Sequence, residues 1–496
     1  MMKRSLMILL TACLLLSTLA SCGDSSNTPS QTSGNVISGD QTDTSDVADT
    51  SDADVISGEN PGDSTESTGT ASTGQTSTQQ GTNSKNNTST GGNSATASAT
   101  PSTVNLRTAT FKGVTLKRIR WYDMGSEETQ MIKDWEKKTG AKIQDVYVNY
   151  ENIQDKIKQS IAAKDPIDIG FLYGAFFPTD IIANMYKPVD SYIQNQYLLD
   201  TNNLSNGGFD LSKMNEYKWK NHYYGFCSYW DVDMLVMYYR KDVFKDYNLT
   251  DPNTLAQQGR WNWDTFYQAA EKIQKGGEIN GYSNGPDGKG GHQNIWILGA
   301  GSSPIINTST KPTINFSDSK FVKGMEFYQK ITSGATAVVD SEHTFQDGKA
   351  AMFIGGLYDA TKLMTNSKVP SIVKNNWDIA PVPVSSSNKT GKYPTDWLKA
   401  VGIVNGSKNA DAVASFALYK SKYKGDNKYD DYFTDAQKSR IVPYFKSIAY
   451  ANYGYGNMIV KYGQLFAQVA SGDNISQVLS ANKSVFQTEI DKTIRK

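Results

Sequence analysis

The 496-residue chain balances 50 Lys+Arg against 50 Asp+Glu, yet the balance hides two unlike stretches. Residues 23–105 carry ten acids and one base, a net charge of −9, whereas residues 106–496 carry 47 bases, 40 acids and all 55 aromatic residues. The mild +7 of the second stretch, with no Lys/Arg run and no array of acids, leaves neither a nucleic-acid track nor a trap for polycations. The first stretch cannot build a core. The second exceeds the roughly 250–300 residues at which a single core stops growing, so two lobes are expected.

Met1–Arg4 is a short basic start, followed by the apolar run Leu6–Leu16 and small residues. That layout predicts a secretory signal over residues 1–21, because the run falls short of the roughly 20 residues that span a bilayer. It ends in Leu19-Ala20-Ser21-Cys22, which resembles the lipobox of bacterial lipoproteins. The resemblance implies cleavage before Cys22 and acylation of its sulfur, a stable anchor once two or more chains are attached. Residues 22–105, rich in Ser, Thr and Asp and free of aromatics, are expected to be a disordered tether. As a flexible coil it spans about 50 Å. Cys13 leaves with the signal and Cys22 takes the lipid, so Cys227 stands alone as a small buried hydrophobe, without a disulfide or zinc spacing.

Val114–Trp121 reads as a strand, and Ser126 is expected to cap a helix whose Met131, Ile132 and Trp135 share a face before Gly140 stops it. Ile143–Val148 is a second strand. Ile153, Ile157 and Ile161 mark a second helix, and the apolar run Ile167–Leu172 a buried third strand. This alternation predicts an α/β lobe on a parallel sheet. A second series follows: Met234–Tyr239, a helix Trp263–Lys275 capped by Asn262, Phe321–Thr332, then strands at Ala350–Ile354, Asp378–Val382 and Val401–Val404. Helices at Ala412–Tyr419 and Ile459–Ala470 close the chain.

Several of these pieces are similar to segments of the family 1 extracellular solute-binding proteins, the receptors of carbohydrate ABC importers. They are Trp121-Tyr122-Asp123, Asp168-Ile169-Gly170-Phe171-Leu172, Tyr224-Gly225-Phe226 with Tyr229-Trp230-Asp231, and Tyr239-Arg240-Lys241-Asp242-Val243-Phe244. Trp261-Asn262-Trp263-Asp264-Thr265-Phe266, the run Phe345–Met352 and Ala380-Pro381-Val382-Pro383 continue in the family's order, across essentially all of 110–496. The resemblance implies a two-lobed, periplasmic-binding-protein-like α/β fold with an interlobe ligand cleft and several hinge crossings. It implies a crossing near 226–232, a return near 379–386, and C-terminal helices on the second lobe. Lobe 1 would comprise 106–228 and 380–425, and lobe 2 would comprise 229–379 and 426–496. No catalytic residue, cofactor or metal is implied. The implied partners are an oligosaccharide and the permease subunits of an importer, with the receptor a monomer anchored outside the cell membrane, in Gram-positive packaging.

A sugar offers hydroxyls to polar groups and flat C–H faces to aromatic rings. In open α/β sheets ligands meet the loops after the carboxyl ends of strands. That filter selects Trp121, Tyr122 and Asp123 after the first strand, Tyr173 and Phe176 after the third, and Tyr229, Trp230 and Asp231 at the crossing. The family resemblance adds Tyr358, Trp296, Asp396, Trp397, Tyr453 and Tyr455. Trp135, Trp261 and Trp263 read instead as core packing.

Enzyme signatures are missing. There is no GxSxG, HExxH or GxxxxGK[ST], the three histidines lack ligand spacing, and Gly281–Gly291 reads as turns. The run Asp426–Asp431 reads as a solvated charge run rather than a metal site. Because a glycoside hydrolase needs only two facing carboxylates, a surface glycosidase or carbohydrate-binding adhesin is the alternative. The same fold binding a peptide or polyamine is a third reading.

Overall fold

The computed structural model describes residues 101–122, 124–286, 292–306, 311–339, 342–395, 397–424 and 432–495, with the main chain alone at Trp397. The expected signal, Cys22 and residues 22–100 of the expected tether lie outside the described residues, as do Asp123, Asp396 and the run Asp426–Asp431. The last residues assigned to the tether, 101–105, are described, and Ser102 and Val104 accept hydrogen bonds from the first lobe, so the folded part begins earlier than expected.

The first lobe follows the expected alternation: β1 (Thr115–Arg120), α1 (Ser126–Thr139), β2 (Lys142–Tyr147), α2 (Ile153–Ala162) and β3 (Ile169–Leu172). Helix α1 stops at Gly140, whose φ of 76° is left-handed and open to glycine without strain. Its N-cap is Gly125 with no side-chain cap, so Ser126 is the first helical residue rather than the cap.

The second lobe contains β4 (Leu235–Arg240), α3 (Trp263–Gly276), α4 (Asn294–Gly299), α5 (Ser319–Thr332), β5 (Met352–Gly356) and β6 (Trp377–Ala380). Asn262 caps α3 as expected, in a reciprocal pair with Thr265. Strand β7 (Ala400–Ile403) and helix α6 (Ala410–Lys420) return to the first lobe, and α7 (Met458–Ala470) and α8 (Ile475–Ile494) end the chain.

The first sheet has the order β7-β3-β1-β2. Its β1–β2 and β1–β3 pairs are parallel, with Thr115 opposite Lys142 and Arg118 opposite Ile169. Strand β7 runs antiparallel to β3, Ala400 facing Leu172, so the sheet is mixed where only parallel strands were expected. The second sheet, β5-β4-β6, is wholly antiparallel. Its central strand Leu-Val-Met-Tyr-Tyr-Arg is buried at every position, which suits a strand covered on both faces.

Among the described residues, three pairings mark the crossings between the sheets. Val232–Asp233 pairs with Trp397–Leu398, Tyr393–Pro394 with Ile448–Ala449, and Pro178 bridges to Gly454. The return lies later than the expected 379–386. Pro381 and Pro383 still accept hydrogen bonds from the indoles of Trp261 and Trp263 on the second lobe, so the chain crosses back at 394–400. The C-terminal helices do pack on that lobe: Phe466 sets its ring edge-on to Tyr328 of α5, 5.1 Å away, and Gln329 donates to Val469 O. Cys227 is fully buried, as expected.

Residues 102–107 form a clasp across the first lobe. Leu106 N donates to the Tyr197 hydroxyl at 3.0 Å, and that hydroxyl donates to Val104 O at 3.2 Å. Ser415 of α6 donates to Leu106 O, Gln194 donates to Ser102 O, and Arg107 donates to Asn206 O. Leu106 and Tyr197 are both buried.

Candidate ligand-binding site

The carboxyl ends of β1 and β2 frame an open hollow of about 460 Å³ lined by Trp121, Tyr122, Tyr147, Val148, Asn149 and Asn152. That is where the polarity of an open α/β sheet places ligands, since loops after strand ends are free to vary while the strands hold them rigidly. Tyr147 is 54% exposed, and Trp121 and Tyr122 are half-buried. The described lining combines these rings with the amides of Asn149 and Asn152, and no described lining side chain is acidic.

Trp121 is the hub of the aromatic group behind the hollow. Its ring lies edge-on to Tyr122, Tyr173, Phe171 and Tyr150 at 4.9, 5.4, 5.7 and 5.9 Å. Phe176 joins through Tyr150 at 5.8 Å. Of the expected residues, Trp121, Tyr122, Tyr173 and Phe176 therefore come together, with Tyr173 buried behind the others. Tyr453 reaches the same junction, its N–H donating to Gly174 O at 3.0 Å, and its ring stacks on Tyr462.

Tyr122 is held from both sides. The Arg120 guanidinium lies 4.5 Å from its ring and donates to its carbonyl, while the Lys399 ammonium lies 5.5 Å from the ring and 2.9 Å from the Asp233 carboxylate at the crossing. Beneath them runs a buried ion network. Arg118 and Arg120 both donate to Glu128 Oε1, at 2.7 and 2.5 Å, and Arg118 also grips Asp145 through two nitrogens. Charge-assisted, bidentate bonds of this kind fix a loop's angle as well as its position.

The other expected residues stand apart. Tyr229 and Trp230 pack with Phe445, and Asp231 is buried. Burial alone would raise the Asp231 carboxyl, but the Lys420 ammonium and bonds from Ser228 hold it below its ordinary range. Its chemistry is thus spent on holding the crossing. Trp296 is 2% exposed among Trp263, Phe266 and Phe327, and Tyr455 is fully buried, so both are core in this structure. Tyr358 is 36% exposed after β5 on the second lobe, with the Lys362 ammonium 5.1 Å from its ring. Asp123, Asp396 and the Trp397 side chain are outside the described residues.

Sequence reasoning passed over Tyr147, Asn149 and Asn152. Tyr147 ends β2 and Asn149 and Asn152 follow it, much as Trp121 and Tyr122 follow β1, so the same strand-end rule would have found them. It also passed over Asp233 and Lys399, whose pairing depends on residues 166 apart. Among the described residues, no group of three or more His, Cys, Asp or Glu side chains could hold a metal, and no helix is long and apolar enough to cross a membrane.

Asp180, behind Tyr150, carries a testable charge. Burial pushes its carboxyl up to about 7, with Lys158 and Gln154 pulling the other way. The folded-state value lies above the ordinary 3.8, so the stability its proton confers is full below about pH 4 and lost as pH rises through about 7. Asp180→Asn, which mimics the protonated acid, is expected to melt with the wild type at pH 4 and above it at pH 8. Parallel melting curves at both pH values would refute the assignment.

The bacterial extracellular solute-binding protein family model matches residues 121–437. No curated protein matches the chain. Among solved structures, the sugar-binding protein MalE from Xanthomonas citri superposes with a TM-score of 0.62 at 14% identity, over 76% of this chain and 98% of that one. The cyclic alpha-maltosyl-1,6-maltose binding protein from Arthrobacter globiformis gives 0.60 at 13%, over 76% and 99%. The galacto-N-biose-/lacto-N-biose I-binding protein from Bifidobacterium longum, in complex with lacto-N-biose, gives 0.58 at 15%, over 77% and 99%. At these identities the likeness establishes a common two-lobed fold.

Proposed function

The chain belongs to the bacterial extracellular solute-binding proteins, and on that premise we propose that it captures an oligosaccharide between its two lobes and delivers it to the permease of an ABC importer. The observation that carries the sugar reading is the hollow at the ends of β1 and β2, where exposed rings and neutral amides converge. A polyamine would require the opposite, acids among aromatics. The sugars bound by the structural neighbours point the same way. Trp121, Tyr122 and Tyr147 are the stacking faces, and Asn149 and Asn152 take hydroxyls. Asp123 joins them at the end of β1, and Tyr358, Trp230, Tyr453, Asp396 and Trp397 are second-lobe and hinge contacts of the closed state. Closure is a rotation about the three crossings.

The domain works outside the cytoplasm, as its family does. We read its attachment as a lipid on Cys22 followed by the tether, on the outer face of a Gram-positive membrane, with the protein a monomer. No residue is given a catalytic role.

Calorimetric titration of the purified protein with a panel of oligosaccharides, with chromatography of each glycan afterwards, tests this reading. Saturable binding of intact glycan is expected. Micromolar affinity needs about −8 kcal/mol, within reach of two stacked rings and several hydrogen bonds. Cleaved glycan would replace the receptor with a glycosidase, and silence across the panel would overturn the sugar assignment.

A further inference from the structure

At the far end of α1 from Trp121 and Tyr122, about 20 Å away along the helix, lies a second hollow of about 150 Å³. Its floor is apolar, built on Trp135 and Leu418, and its rim carries Arg107, Lys138 and Lys422. The Lys138 and Lys422 ammonium groups lie 5.5 and 5.4 Å from the ring of Tyr419, so one aromatic ring gathers two cations. Arg107 spends its guanidinium on the carbonyls of Asn206, Gln196 and Gly207, which keeps its charge at the rim without neutralising it. Among the described residues, none of the three cations has a carboxylate partner.

Basic residues often sit at helix C-termini, and Thr139 and Lys420 end α1 and α6 here. That explanation is too small. Each helix end supplies about half a negative charge, leaving about two positive charges uncompensated by the described residues around one cavity. Burial, with the charges of Lys138 and Arg107 behind it, holds the Lys422 ammonium below its ordinary range, as expected of like charges confined together.

We propose that this hollow is a second binding site, for a phosphate-type anion, distinct from the sugar site and at the opposite end of α1. The three cations face the anion, and the apolar floor takes whatever group the phosphate carries. The ligand is a free phosphate or one unit of a phosphate-bearing chain.

Titration of the full-length protein with inorganic pyrophosphate at low salt, beside a long-chain polyphosphate, tests the site. One-to-one saturable binding that weakens with added salt is expected, falling about tenfold or more in the K138Q/K422Q double variant. The variant should keep the wild-type melting curve and its oligosaccharide affinity, which separates this proposal from the sugar reading. A control pair away from the hollow, K245Q/K368Q, should bind as the wild type does. Equal affinity per phosphate for both probes would assign a free anion, and markedly tighter polyphosphate binding would assign a chain. Absence of saturable binding to either probe, or undiminished binding in K138Q/K422Q, would overturn the site.

Discussion

Glu128→Gln is expected to destabilise the folded domain by about 3–5 kcal/mol. The carboxylate is 6% exposed and accepts from both Arg118 and Arg120, themselves at 0 and 1% exposure. An amide keeps the shape and removes the charge that both guanidiniums share, while Asp145 stays bonded to Arg118. Breaking a buried network by removing one partner is costly because the stranded charge loses its solvation without recompense, even where the intact network contributes little net stability. Chemical denaturation reads the effect as a shift in midpoint. A loss below about 1 kcal/mol, the range of an exposed pair, would mean that water reaches the network. Because Arg120 carries the Tyr122 ring and carbonyl, the variant is also expected to bind sugar more weakly than its lost stability alone explains.

The second large effect concerns the ligand. Trp121→Ala is expected to weaken oligosaccharide binding by at least about 2 kcal/mol, roughly thirtyfold, as loss of a central aromatic does. Trp121 also supports Tyr122, Tyr150 and Tyr173, so this variant loses stability as well. Tyr147→Ala resolves the ambiguity. At 54% exposure Tyr147 contributes little to the core, so its loss is expected to leave melting within about 0.5 kcal/mol of wild type while affinity still falls. Unchanged affinity in Tyr147→Ala would move the sugar away from this hollow.

The first lobe was legible in the sequence because its signals are local. Ile153 and Ile157 point inward from one helix face, and Gly140 stops α1 where the chain needs a left-handed residue. Strand direction was not legible. Strand β7 pairs with β3 across more than 220 residues, and nothing in Ala-Val-Gly-Ile states which way it will run. The site divides along the same line. Trp121 and Tyr122 follow from a rule about strand ends, whereas depth is a property of the assembled fold. Trp296 and Tyr455 carry the same aromatic chemistry as Trp121, yet they fill the core. The Arg118–Glu128–Arg120 network was hidden because charged residues within a strand and the following helix read as solvated until the packing removes the water.

The clasp at residues 102–107 governs where mechanical load enters the molecule. A pull on the chain ahead of Ser102 meets the bonds to Tyr197, Gln194, Asn206 and Ser415, all within the first lobe, before it reaches β1. A pull from that end would therefore enter through the first lobe, and the crossings would carry only the drag on the second lobe itself. If residues ahead of Ser102 hold the protein to a surface, the second lobe would stay free to swing under tension on them, and capture would proceed nearly as well under flow as at rest.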